Sequence, residues 1–475
     1  MDEDLIRKIV KEVVEGLAKT QPAPQPASGG GVGVFQTVNE AVQAAIAAQR
    51  QLVGMTLEAR ARIIEAIRQA ARQNAEDFSR RKVEETGLGR VEDEIGKHML
   101  AADKTPGLEI LRTDAFSGDH GLTIIEMAPY GVIGCVTPLT HPTATMVNNA
   151  ISLIAAGNSG VFNGHPKGKR VFAYAVDILN RAIAAVGGPV PLICCIAEPT
   201  VETARELFCH PDIPVLLITG GPAVVAEAMK APKRVIAAGP GNPPVVVDET
   251  ADIAKAARDI IAGASFGNDE LCLGEKEVFA VEAIFDQLKR EMIRLGCVEL
   301  NRDQIDALGR LAFQVESGPL KFGAVEPRLN RDLVGKNADH LAKLIGLTVA
   351  PTTRLLIGET APDHLWVMEE QLMPFVPLVR ARDADHAIEM AIVAERGYHH
   401  TAVMHSRNIV AMDKMARLVN TTIFVKNGPS LAGAGVGGEG YTSFSIAGPT
   451  GEGLTTARDF TRQRRCVLVD YFRII

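Results

Sequence analysis

Between Tyr130 and residue 237 the sequence alternates short apolar runs with segments of helical period. The apolar runs fall at 131–136, 160–163, 191–196, 215–218 and 234–237, and the helical segments at 142–156, 170–186, 201–208 and 223–230. A strand that is apolar on both faces must be covered on both, and helical crossovers between parallel strands do this. The pattern predicts an α/β fold with a doubly wound parallel sheet of the nucleotide-binding kind. A second α/β unit starts near residue 238. It runs through a strand at 244–247, a helix at 253–263, a polar loop around Cys272, a strand at 277–281 and a helix at 285–295, and continues to about residue 425. Ahead of the first sheet, 38–51, 57–82 and 91–99 read as helices. The glycine-rich stretch 428–453 reads as loop, and 465–472 as an edge strand that adds to a partner subunit.

The N-terminus has a different character. Leu5, Ile6, Ile9, Val10, Val13, Val14 and Leu17 form one stripe among charged residues, which is the period of an amphipathic helix over 1–19. Residues 20–34 follow as a flexible tether rich in Pro and Gly. So short a helix is marginal alone in water and must dock somewhere. Two readings stand: docking on its own protein or a second copy, or a tethered address that binds another protein.

Composition removes several function classes. A length of 475 residues gives two or three domains and a core that needs no staples. The net charge of −7 argues against a nucleic-acid partner. No apolar run reaches a membrane span, and no signal peptide is read. The seven cysteines are scattered without a CxxC pair, so neither a disulfide framework nor a thiolate metal site is expected. Reduced thiols suggest the cytosol, and an enzyme. Cys135, Cys194 and Cys195 lie in apolar strand runs and read as packing residues; Cys209, Cys297 and Cys466 carry no signal. Cys272, in FGNDELCLGEKEV, is the nucleophile candidate, because a thiolate needs polar or positive surroundings.

Five segments resemble the aldehyde dehydrogenase superfamily, and within it the CoA-acylating branch. They are PYGVIGCVTPLTHPTATMVNNAISLIAAGNSGVFNGHP (129–166), ITGGP (218–222), AAGPGNPPVVVDETAD (237–252), NDELCLGEKEV (268–278) and KNGPSLAGAGVGGEGYTSFSIAGPTGEG (426–453). The last is similar to the enzymes of propanediol- and ethanolamine-utilising bacterial microcompartments. The resemblance spans about 35–475. It implies oxidation of a short aldehyde, of the propanal or acetaldehyde class, to its acyl-CoA with NAD. It also implies a dinucleotide-binding domain over 35–236 with an oligomerisation hairpin near 113–129, a catalytic domain over 237–426, and a return segment with an oligomerisation tail over 427–475. A homo-oligomer, dimer or tetramer, follows. Residues 1–19 with their tether are similar to the peptides that direct such enzymes to a microcompartment shell, in the lumen of which the chain would act.

The resemblance carries residues over one by one. Cys272 is the nucleophile, forming a thiohemiacetal and then an acyl-enzyme thioester. Pro138-Leu139-Thr140-His141-Pro142 stands where hydrolytic relatives place Pro-Trp-Asn-Phe-Pro, so Thr140 is an oxyanion donor beside the Cys272 backbone N–H. His141 is either a pocket-lining polar group or a surface turn residue. Where hydrolytic relatives carry a Glu base in Glu-Leu-Gly-Gly-Lys, this chain has Ala237-Ala238-Gly239-Pro240-Gly241. Loss of that base removes water activation and favours CoA as the thioester's acceptor. No GxGxxG occurs. Instead Thr219, Gly220 and Gly221 open a helix beside the dinucleotide, with Pro138, His165 and Pro166 around it and Glu370 on the nicotinamide ribose. Lys167, Lys169 and Arg170 meet a phosphate or are a solvated helix start. A hydrolytic enzyme forming the free acid, and a catalytically silent scaffold recruited to a shell, remain the competing readings. NADP in place of NAD stays open.

Overall fold

Parallel strands at Val34–Phe35, Ile193–Ile196, Ser159–Asn163, Val132–Val136, Val215–Thr219 and Arg234–Ala238 lie side by side in that order to form the first sheet. The structure, a computed structural model, describes residues 31–474, so the expected helix at 1–19 lies outside the described residues. Alternate residues of the strands feed two cores. Ile133 and Cys135 join Phe162, Cys195 and Leu217 on one face, while Val132 and Val136 join Val161, Cys194 and Ile218 on the other. From 132–136 the chain first winds outward to 159–163 and 193–196, then returns to 215–219 on the opposite side. The point of reversal lies between strands 132–136 and 215–219. Ligands of open α/β sheets sit in such a crevice, beyond the carboxyl ends of the strands.

The helix expected over 57–82 is two helices, Leu57–Gln73 and Ala75–Thr86. Asn74 leaves helical geometry and turns its side-chain N–H₂ back to the Ala70 carbonyl at 2.8 Å, closing the first. The tether expected to run to residue 34 ends earlier. Val34–Phe35 pairs with Cys195 and Ile196, and the Val32 N–H donates to Asp177 at 2.6 Å. The domain boundary expected at 236/237 falls inside strand Arg234–Ala238, where Ala237 pairs with Ile218.

A second parallel sheet has the order Val298–Glu299, Leu356–Glu359, Phe375–Ala381, Glu277–Val281, Pro244–Val247, Thr401–His405, Ile423–Lys426. Strand Glu277–Val281, which follows the Cys272 loop, is central and wholly buried. A third, antiparallel sheet joins Asp114–Gly118, Gly121–Pro129 and Thr461–Val469. The tail strand, expected over 465–472, spans Thr461–Val469 and is an edge strand of this sheet, paired on its inner side with its own chain from Thr461 opposite Pro129 to Val469 opposite Gly121. Gly121 permits this: its φ is +113°, and the Leu468 carbonyl oxygen lies 2.0 Å from where a Cβ would stand. Among the described residues no helix is long and apolar enough to cross a membrane.

Candidate active site

Helix Ile253–Ser265 delivers the chain to the Cys272 loop. Asp252 caps its first turn by accepting from the Lys255 N–H at 3.0 Å. After Phe266 the backbone takes three consecutive left-handed residues, Gly267, Asn268 and Asp269, with φ of 60°, 58° and 61°. Cys272 follows, and the loop feeds strand Glu277–Val281. The Lys276 ammonium ties the loop from the strand side. It donates to Asp269 Oδ1 at 2.7 Å and to the Asp269 and Leu271 carbonyls at 3.1 and 2.9 Å.

The Cys272 side chain is half-buried and opens on a small pocket. Leu100, Phe266, Leu271, Leu431, Phe444 and Ile446 give that pocket a largely apolar wall. Burial and the nearby Glu370 carboxylate push the thiol up to about 12, against the pull of the Lys276 ammonium and the backbone N–H groups of Cys272 and Leu273. Glu370 itself is pushed up to about 7 by burial, while the Gly241 N–H, at 2.9 Å, and Lys276 favour its charged form. The glycine-rich segment supplies much of the wall and also reaches the first sheet. Thr219 shares a hydroxyl hydrogen bond of 2.7 Å with Ser445, and the Ala237 N–H donates to Thr450 at 3.0 Å.

Pro138 and Thr140, His165 and Pro166, and Thr219, Gly220 and Gly221 follow three adjacent parallel strands, so they share one edge of the first sheet, across the point of reversal. Glu370 belongs instead to the Cys272 neighbourhood. His141, not Thr140, lines the pocket. It is buried, its Nδ1 lies 2.6 Å from the Thr145 hydroxyl, and its ring meets Phe444 edge-on at 5.6 Å. Burial and the Lys97 charge push its pKa down to about 3, so the ring is neutral. Lys169 pairs with Glu198, and Arg170 with Glu85 at 3.5 Å, so both charges already have partners at the surface. Ala237 is fully buried and carries no ionisable group.

Residues 32–299 match the aldehyde dehydrogenase family. The acetylating acetaldehyde dehydrogenase of Bilophila wadsworthia is 50% identical over 99% of both chains. The chain belongs to the aldehyde dehydrogenase family. Among solved structures, a propionaldehyde dehydrogenase from the Clostridium phytofermentans fucose utilisation bacterial microcompartment matches with a TM-score of 0.89 at 43% identity, covering 94% of this chain and 100% of that one. A Rhodopseudomonas palustris propionaldehyde dehydrogenase with bound CoA and an acylated cysteine matches with a TM-score of 0.88 at 45% identity, covering 92% and 98%.

Two groups at the site went unread in the sequence. His400 is buried with its Nε2 unpartnered, its Nδ1 lies 2.9 Å from the Thr401 hydroxyl, and burial pushes it down to about 3. Its ring packs against Gly241, which in turn abuts the Cys272 carbonyl. Lys97 lines the pocket from a helix of the first unit. Neither sits in a recognisable motif. The pair of adjacent histidines at 399–400, ahead of an apolar strand, was the one available signal for the first.

Proposed function

We propose that this chain is a CoA-acylating aldehyde dehydrogenase that converts a short aliphatic aldehyde to its acyl-CoA, with Cys272 as nucleophile. The observation that carries the reading is the Cys272 thiol at the wall of a small, largely apolar pocket, between backbone N–H groups and a buried lysine. The apolar part of the wall suits a short alkyl group.

The Cys272 thiol, protonated in the resting site, gives up its proton to solvent at the pocket mouth; the thiolate bonds to the aldehyde carbon, and the carbonyl π pair moves to oxygen. The backbone N–H groups of Cys272 and Leu273, which favour anionic sulfur in the resting site, are the loop's local donors. The dinucleotide, when bound, supplies the hydride acceptor. The residues that would hold it are Pro138, His165, Pro166, Thr219, Gly220 and Gly221, which share the carboxyl edge at the reversal point, and Glu370, beside Cys272, would meet it from the other side. As the C=O bond re-forms, Cys272 carries an acyl thioester. The CoA sulfur then bonds to the acyl carbon, the bond to Cys272 breaks, and the Cys272 thiolate is regenerated. The CoA thiol proton passes to solvent as the CoA thiolate forms; His400, held down to about 3, is too weak a base to take it. Ala237 in place of a carboxylate leaves water without the base that hydrolytic relatives use.

Residues 1–19 are proposed to bind a microcompartment shell protein, placing the enzyme in the lumen of a shell within the cytoplasm. The three-stranded antiparallel sheet, exposed on most of its length, is proposed as the homo-oligomer contact. Peptide mass spectrometry tests the chemistry. Aldehyde and NAD without CoA should leave an acyl adduct on the Cys272 peptide, and adding CoA should discharge it. An adduct absent from Cys272, or one that CoA does not discharge, would refute the reading.

A further inference from the structure

Four charged side chains are buried together beside the nucleophile loop. Lys82 comes from helix Ala75–Thr86, Glu94 and Lys97 from helix Val91–Lys104, and Glu270 from the loop, two residues before Cys272. All four are at most 1% exposed. Lys82 Nζ donates to both Glu270 oxygens, at 2.9 and 3.2 Å, and to the Leu88 carbonyl at 3.1 Å. Lys97 Nζ donates to Glu94 at 2.6 Å and also to Glu270. Burying such a cluster often adds no more stability than well-packed apolar residues of similar volume would. Its purpose is then to be sought in what it holds.

What it holds is Glu270, the residue that follows a strained run and precedes Cys272 by two. Asn268 and Asp269 sit in the left-handed region without being glycine, in a run of three such residues with Gly267. Such strain persists only where the surroundings over-determine it. The same two helices and the turn between them do so. The Gly267 N–H donates to Asp93 at 3.0 Å, and Arg90 Nε donates to the Asn268 oxygen at 2.7 Å. Lys97 moreover lines the pocket with Cys272, so a shift of this cluster moves the pocket wall and the nucleophile together. We propose that Lys82 and Lys97, acting through Glu270, are positioning residues that hold the strained loop and aim the Cys272 thiol. This rests on the reading of Cys272 as nucleophile.

The test uses the full-length enzyme carrying Lys97→Met, and a second form carrying Lys97→Met with Glu270→Gln. The double variant leaves no lone buried charge, so it carries the test where the single one does not fold. Turnover, aldehyde KM, thermal midpoint and the iodoacetamide labelling rate of each cysteine peptide are read side by side. A nucleophile displaced by about 1 Å should cost about 10²-fold in kcat, with KM within about threefold. The Cys272 peptide should label faster, while the buried Cys135 and Cys297 keep their rates. The double variant should hold its thermal midpoint without regaining kcat. A double variant with wild-type kcat, or one in which Cys135 and Cys297 label faster along with Cys272, would overturn the proposal. Labelling needs no CoA, so a wild type that forms no acyl-CoA refutes the functional reading while the loop is still tested.

Discussion

Gly241 offers the sharpest probe of how the site is built. It lies in the turn between strands Arg234–Ala238 and Pro244–Val247, and its N–H donates to Glu370 at 2.9 Å. A methyl group there would stand 2.3 Å from the Cys272 carbonyl oxygen and 2.9 Å from His400 Cγ. The backbone is not left-handed at Gly241, so the conflict is one of contact alone. An ordinary contact needs about 3.5 Å, so Gly241→Ala must part the two backbones by about 1 Å. A misplacement of that size should lower kcat by about 10²-fold. Overpacking at a buried contact should cost about 1–3 kcal/mol of stability. The assay pairs CoA-dependent NADH formation with thermal unfolding. Gly54→Ala is the control, since a Cβ there comes no closer than 3.4 Å to any neighbour. If Gly241→Ala keeps a wild-type kcat, the close packing of this turn against Cys272 does not set the nucleophile's position.

Further outcomes follow from the same charges and contacts. Glu370→Gln removes the carboxylate that helps push the Cys272 thiol up, so iodoacetamide should label Cys272 faster near pH 8; an unchanged rate would contradict the assigned cause. His405 is buried and held down to about 4 by burial and by Lys255, below its ordinary 6.5. The folded chain therefore binds fewer protons at this group than the unfolded chain between those values. The stability it contributes is present above pH 6.5 and is lost as pH falls toward 4. His405→Asn should then remove about 2 kcal/mol of the stability difference between pH 7 and pH 5, and a calorimetric pH series identical to wild type would refute this. Deleting residues 1–19 should leave specific activity intact and abolish co-purification with shells, and retained association would refute the address.

The layered fold was legible because both sheets are parallel and buried, and buried parallel strands read as short apolar runs: VIGCV at 132–136 and VLLIT at 215–219 are wholly buried. Errors fell where a single polar side chain or a pairing partner decides the outcome. Asn74 splits a continuous helical pattern, and the tail strand takes its bounds from its pairing with Gly121–Pro129, far away in sequence. The Cys272 loop was legible through its motif, but its left-handed run was not, because Asn268 and Asp269 are held there by Arg90 and Lys276, which no local rule connects to them. The glycine-rich segment read as loop; that it walls the pocket follows from its contacts with Asn149 and Thr219, distant in the chain. Lys97 and His400 reach the site only through tertiary packing.

The central claim is that CoA, not water, resolves the thioester on Cys272. The measurement that tests it most directly is the product of a single incubation with a short aldehyde and NAD, with and without CoA, analysed for acyl-CoA and free carboxylate against NADH formed. The account predicts acyl-CoA equal to NADH when CoA is present, and turnover that stalls after one acyl group per site when it is absent. Sustained NADH formation without CoA, matched by free carboxylate, would contradict it.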